Sequence, residues 1–160
     1  MERSISPASV RKTLLVRTDT ATAFHAFAHR MHAWSPPSHS LTGSRTDIVI
    51  EPRIGGRWYE TGEGGAEADW GRVLAWEPPH RMVLAWQLNA NFSFDPELTT
   101  EVEVRFESAG TGLTRVDFEH RNIERFGAVA PDIFKSLDGD DGWGGSLPMF
   151  ADLFSNEGGQ

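Results

Sequence analysis

The polarity of the chain alternates most strictly in two stretches. Val102, Val104 and Phe106 fall on one side, with Glu101, Glu103, Arg105 and Glu107 on the other. Val116, Phe118 and His120 then oppose Arg115, Asp117, Glu119 and Arg121. A period of two marks a strand with one covered face and one wet face. The same reading extends backwards along the chain. "TDIVIEP" and "RWYET" flank Gly55-Gly56, "DWGRVLAW" and "RMVLAWQL" flank "EPPH", and "TTEVEVRFE" and "LTRVDFEHR" flank "SAGTG". Each gap carries turn residues, so three successive hairpins are predicted between Asp47 and about Arg121. Residues 8–18 predict a further strand ahead of them. "DTATAFHAFAHRM" switches to helical spacing, with Phe24, Phe27, Ala28 and Met31 on one stripe and Asp19 or Thr20 as N-cap. Pro36 and Pro37 must end that helix.

The stretch "DIFKSLDGDDGWGGSLPMFADLF" predicts a closing helix. Trp143, Leu147, Phe150 and Phe154 share one face of it, and Gly144, Gly145 and Pro148 interrupt that face. The regular helix is expected to start near Gly145 or Ser146, with "DGDDGWGG" as a mobile gate before it. Two helices covering one face of a curved antiparallel sheet make an α+β fold. No repeat or linker interrupts residues 1–160, so one domain is expected, with its core over about 9–154.

Composition narrows the function. Six Trp and ten Phe against one Tyr is a heavy aromatic load, and large rings dominate core and pocket energetics. The absence of Cys excludes disulfides, thiolate metal sites and Cys nucleophiles. A net charge of −8 repels nucleic acid and anionic membrane, and no basic cluster offsets it. Neither a signal-peptide pattern nor a run long enough to span a bilayer is present, so a cytoplasmic location is expected.

Candidate chemistry is sparse. Gly55-Gly56 leads into a strand pattern rather than a helix N-terminus, so it reads as a hairpin turn and not a phosphate loop. Trp58 and Tyr59 therefore point to opposite faces. His25, His29 and His32 share a helical face at i, i+4 and i+7, but that face lies away from the apolar stripe and reads as solvated rather than metal-binding. No metal and no cofactor is expected. His39 is a loop histidine without a visible partner. His120 takes the covered parity of an apolar strand; it is either a satisfied core histidine or a polar anchor for a ligand. As an acid or base it would need a second titrating group, for which Glu60 is the nearest candidate. Trp34, Trp70, Trp76 and Trp86 also read as core, with Trp70 and Trp76 on the core or outer face. The acidic runs "GEGGAEAD" and "DGDD" read as solvated loops.

Taken together, "IEPRIGGRWYE", "WGRVLAWEPPHRMVLAWQL", "TEVEVRFESAGTGLTRVDFEHR" and the later "GW…L…F" resemble the activator-of-heat-shock-protein-90-ATPase homologue family of the START-like (SRPBCC, Bet v 1-like) superfamily. The resemblance runs over about residues 9–154. It implies a helix-grip fold: a strand, two short helices, a six-stranded meander and a long C-terminal helix, about seven strands in all. It also implies a cavity between that helix and the concave sheet, which in relatives takes hydrophobic or aromatic molecules. By position, Trp58, Trp86, Phe106, Phe118, His120 and Trp143 would line or close it. Trp34, Leu147 and Phe150 complete the candidate ligand-binding set, and no residue is assigned as catalytic. The eukaryotic co-chaperone carries a further domain in front of this one, so chaperone activation is not implied. A small-molecule binding protein is the first expectation. A cofactor-independent cyclase or aromatase using His120 is the alternative, and a chaperone or protein-interaction module the third. The expected partner is a small apolar or aromatic molecule, with a homodimer left open.

Overall fold

The computed structural model describes residues 9–155. Residues 1–8 and 156–160, including the first position of the expected strand at 8, lie outside the described residues. Strand β1 (Val10–Val16) is followed by helices α1 (Thr20–His29) and α2 (Met31–Trp34). Six strands follow: β2 (Arg45–Ile50), β3 (Arg57–Gly62), β4 (Glu67–Glu77), β5 (Arg81–Trp86), β6 (Thr100–Gly110) and β7 (Leu113–Arg121). Helices α3 (Ala130–Asp138) and α4 (Trp143–Asp152) close the chain. The strands form one antiparallel sheet of seven in the order β1-β7-β6-β5-β4-β3-β2, so β1 crosses over to pair with β7. This is the helix-grip fold expected from the sequence, with two short helices after the first strand.

Local chemistry accounts for the element ends. Asp19 caps α1 by accepting from the Thr22 N–H at 2.7 Å. Gly55 occupies the left-handed region (φ 84°), and a Cβ on Gly56 would sit 2.6 Å from the Glu51 carbonyl oxygen. The pair is therefore a turn built on backbone geometry, as expected. Trp58 faces the core, fully buried, and Tyr59 faces out beneath the Arg57 guanidinium, 3.9 Å from its ring centroid.

The covered face is aromatic. Phe24 and Phe27 from α1 meet Phe106 of β6 at 5.2 and 5.9 Å between ring centroids, and Phe27 and Trp34 meet Phe150 of α4, each at 5.4 Å. The opposite face of β6 and β7 carries a charge lattice in which Glu103 accepts from Arg81, Arg105 and Arg121. The parity read from the sequence holds for both strands.

Two expectations are corrected. The acidic run 62–69 is not wholly a loop, because Glu67, Ala68 and Asp69 begin β4. The closing helix is two helices meeting at a corner, and α4 starts at Trp143 rather than at Gly145 or Ser146. The glycines explain the corner. A Cβ at Gly142, Gly144 or Gly145 would lie 2.4, 2.4 or 2.0 Å from the carbonyl oxygens of Leu137, Asp138 and Asp140. Only glycine lets the first turn of α4 nest against the end of α3. Trp76, left open between the core and the outer face, takes the core side. β4 pairs with β5 through Val73↔Leu84 and then Ala75↔Val83, which skips Leu74 and turns Trp76 inward against Phe24, 5.0 Å away.

Candidate functional site

A cavity of about 430 Å³ opens between the concave sheet, the α3–α4 corner and two loops. Its aromatic walls include Trp70 of β4, Trp86 of β5, Phe92, Phe126 and Trp143 of α4. Trp86 stands at the centre of the group, with ring centroids 6.0 Å from Trp70, 6.3 Å from Phe92 and 5.6 Å from Trp143.

Trp70, Phe92 and Trp143 are each held by a separate device. Trp70 is the residue skipped when β3 pairs Trp58↔Gly71 and then Tyr59↔Asp69, so its ring swings inward. Its Nε1–H donates to Glu60 Oε1 at 2.9 Å. Phe92 sits in the left-handed region (φ 58°), unusual for a bulky side chain, on a loop whose backbone N–H groups at Asn91 and Ser93 donate to Asn89 Oδ1. Trp143 is set by the glycine corner, and its Nε1–H donates to His120 Nδ1 at 3.0 Å.

Glu60 organises one side of the mouth. Its carboxylate is fully buried and accepts from Ser40 Oγ, the N–H groups of Leu41 and Thr42, Thr42 Oγ1 and Trp70 Nε1. Burial alone would raise its pKa, but the donors from Leu41, Thr42 and Trp70 hold it below the ordinary value. Glu60 is thus an ionised clamp, and its hydrogen-bond partners do not include His120. Arg45 completes the loop by donating to the carbonyls of Ser35, Pro36 and His39 and to His32 Nδ1. His39, expected to lack a partner, has one. Its Nε2–H donates to the Asp141 carbonyl at 2.6 Å, which ties the 35–39 loop to the α3–α4 corner across the cavity. The segment expected as a gate therefore stands at the mouth.

His120 is buried and faces inward, as its parity requires. Indole N–H can only donate, so Nδ1 of His120 accepts from Trp143 and Nε2 carries the proton, donating to Thr100 Oγ1 at 2.7 Å. Both ring nitrogens are engaged. Burial lowers its pKa to about 3, so it is neutral at physiological pH. It is not among the residues lining the cavity. Of the two readings of His120, ligand anchor and satisfied core histidine, the geometry fits the core histidine, which fixes the Trp143 ring.

Of the nine candidate residues, Trp86 and Trp143 reach the cavity. Trp34, Trp58, Phe106, Phe118, Leu147 and Phe150 are buried in the core with His120. Phe150 is fully buried and Phe118 is 2 % exposed, against Trp143 at 4.6 Å, so the void lies beyond them toward the α3–α4 corner. The rest of the wall, including Trp70, Phe92, Phe126 and His39, was not assigned from the sequence. Gly71 was the available signal for Trp70, because a glycine inside a strand marks a bulge. His25 and His29 stack at 4.7 Å on the exposed side of α1, whereas His32 belongs to α2 and faces Arg45. Among the described residues no three His, Asp or Glu side chains converge as a metal site would require, and no helix is long and apolar enough to cross a membrane.

The family model described as Activator of Hsp90 ATPase homolog 1-like protein matches residues 18–155. The chain belongs to this family. Among solved structures it is similar to the anthrahydroquino-γ-pyrone synthase Txn09, with 37% identity over 92% of this chain and 97% of that chain and a TM-score of 0.65. It is also similar to CalC from Micromonospora echinospora, described as a self-sacrificing resistance protein, with 30% identity, coverage of 93% and 95%, and a TM-score of 0.65. The Aha1 dimer from Colwellia psychrerythraea shares the fold at 15% identity, with coverage of 92% and 96% and a TM-score of 0.62. No curated protein matches the chain. Family membership and fold place the chain among START-like proteins.

Proposed function

We propose that the protein binds a planar aromatic small molecule in the cavity between Trp70, Trp86, Phe92 and Trp143. The observation that carries this reading is an aromatic enclosure held open by dedicated polar devices. Glu60, Asn89 and His120 each fix a wall ring or the loop that bears one, rather than filling the space. A volume of about 430 Å³ suits one small ligand. Stacked and edge-on rings favour flat aromatic molecules over flexible chains.

The similarity to a synthase favours a second reading, in which a reaction is completed on the same class of molecule in the same cavity. The groups on the wall able to exchange protons would then be His39, Asp140 and Asp141, not His120. A passive binding protein requires nothing beyond the observed wall, so it is preferred.

Anthraquinone, added to the native protein, is expected to quench tryptophan fluorescence saturably. Trp143→Leu and Trp70→Leu each weaken binding by about tenfold or more, the loss of a hot-spot ring. Trp76→Leu, at the far end of the core against Phe24, leaves it unchanged. Equal affinity in all three variants, or quenching that never saturates, would exclude this cavity as the site.

A further inference from the structure

Five of the inward indoles, three on the cavity wall and two in the core, differ in one respect. Trp70 Nε1 is committed to Glu60 and Trp143 Nε1 to His120. Those of Trp34 and Trp58 are sealed from solvent without a partner among the described residues. Trp86 Nε1 alone neither bonds to a described residue nor is sealed, although the residue is only 7% exposed. A buried donor left open on a cavity wall is a place where an acceptor gains a hydrogen bond that an apolar atom cannot.

The rim carries charge of one sign. Asp140 and Asp141 stand at the mouth, and no Lys or Arg is among the residues lining the cavity. Neither carboxylate makes an ion pair or a side-chain hydrogen bond with a described residue. An anionic group brought to the same mouth meets two exposed carboxylates that no cation neutralises, a repulsion that added salt screens.

Building on the binding function proposed above, we propose that the site selects an uncharged planar aromatic carbonyl compound. Its buried oxygen accepts from Trp86 Nε1–H, and the Asp140/Asp141 rim rejects carboxylated versions of the same ring system. Trp86 is then a specificity-determining residue: the surrounding rings supply affinity for any flat aromatic, and the single N–H supplies orientation and the preference for a carbonyl.

Three probes of similar shape separate these effects: anthracene, anthraquinone and anthraquinone-2-carboxylate. Each is titrated into the full chain with fluorescence quenching as the readout. Anthraquinone is expected to bind about tenfold tighter than anthracene, the worth of one net hydrogen bond. In Trp86→Phe that ratio falls to about one. The carboxylate is expected to bind several-fold more weakly than anthraquinone at low salt. The gap narrows with added salt and in the double variant Asp140→Asn/Asp141→Asn, which alters only exposed side chains. Equal affinity for anthracene and anthraquinone in the native protein overturns the role of Trp86, as does a ratio that survives in Trp86→Phe. A carboxylate as tight as its parent overturns the charge filter. Should Trp86→Phe fail to fold, the native ratio and the aspartate variants still decide. If none of the three probes binds, the cavity reading falls and this inference falls with it.

Discussion

Glu60→Ala is expected to cost roughly 3–5 kcal/mol of stability and to lower the melting temperature by roughly 10 °C. The carboxylate is fully buried and accepts five hydrogen bonds, from Ser40, Leu41, Thr42 (twice) and Trp70. Truncation orphans at least three buried donors at once, and each left unmade costs about 1–3 kcal/mol before relaxation. Glu60→Gln keeps the volume but turns N–H groups toward N–H groups, so it falls between Ala and the native residue. Both variants also release the Trp70 ring and the loop carrying His39, so aromatic affinity drops alongside stability. Because the folded-state pKa of Glu60 lies below its ordinary 4.5, its stabilisation is complete above that value and is lost as pH falls through the folded-state pKa. A melting temperature within a degree or two of wild type would show that the clamp carries no load.

The second large effect is a pH dependence that begins at milder acidity. The unfolded chain protonates His120 near 6.5, while the folded protein resists protonation until about 3. Between those values the unfolded state binds more protons, so stability decreases as pH falls from 6.5 toward 3. At pH 5 the loss is about 2 kcal/mol relative to pH 7.5. His120→Phe removes this limb. It leaves Trp143 Nε1 without its acceptor and Thr100 without its partner, so it starts about 1–3 kcal/mol lower at pH 7.5. The wild-type and Phe curves therefore approach each other toward pH 5. Denaturant titrations of both proteins at the two pH values measure the difference. Parallel curves would place the acid sensitivity elsewhere.

Period-two alternation made β6 and β7 legible down to individual side chains, including the inward turn of His120. The turn dipeptides placed all three hairpins. Parity stopped working in β4, where two one-residue register slips at Trp70 and Leu74 rotate the strand relative to its neighbours. A bulge changes which face a residue takes without changing composition, so Trp70 and Trp76 could not be placed by counting. The glycines of "DGDDGWGG" were read as flexibility, whereas they permit close approach of two helices. Sequence shows that a Cβ is absent but not what stands where it would be. Phe92 and His39 escaped for a related reason: loop side chains carry no period, and the Asp141 partner of His39 lies far along the chain. His120 shows the opposite limit. Its burial was legible, yet its role depended on Trp143 and Thr100 consuming both nitrogens.

The central claim is that ligand occupies the void at the α3–α4 corner and not the space between α4 and the sheet. Six tryptophans give six indole N–H resonances, a built-in map of the interior. Titrating isotopically labelled protein with anthraquinone should shift the Trp86, Trp143 and Trp70 indole signals most, saturating together, with Trp34 and Trp76 nearly unmoved. Largest shifts at Trp34, which packs against Phe150 under α4, or no saturable shift at any indole, would contradict the account.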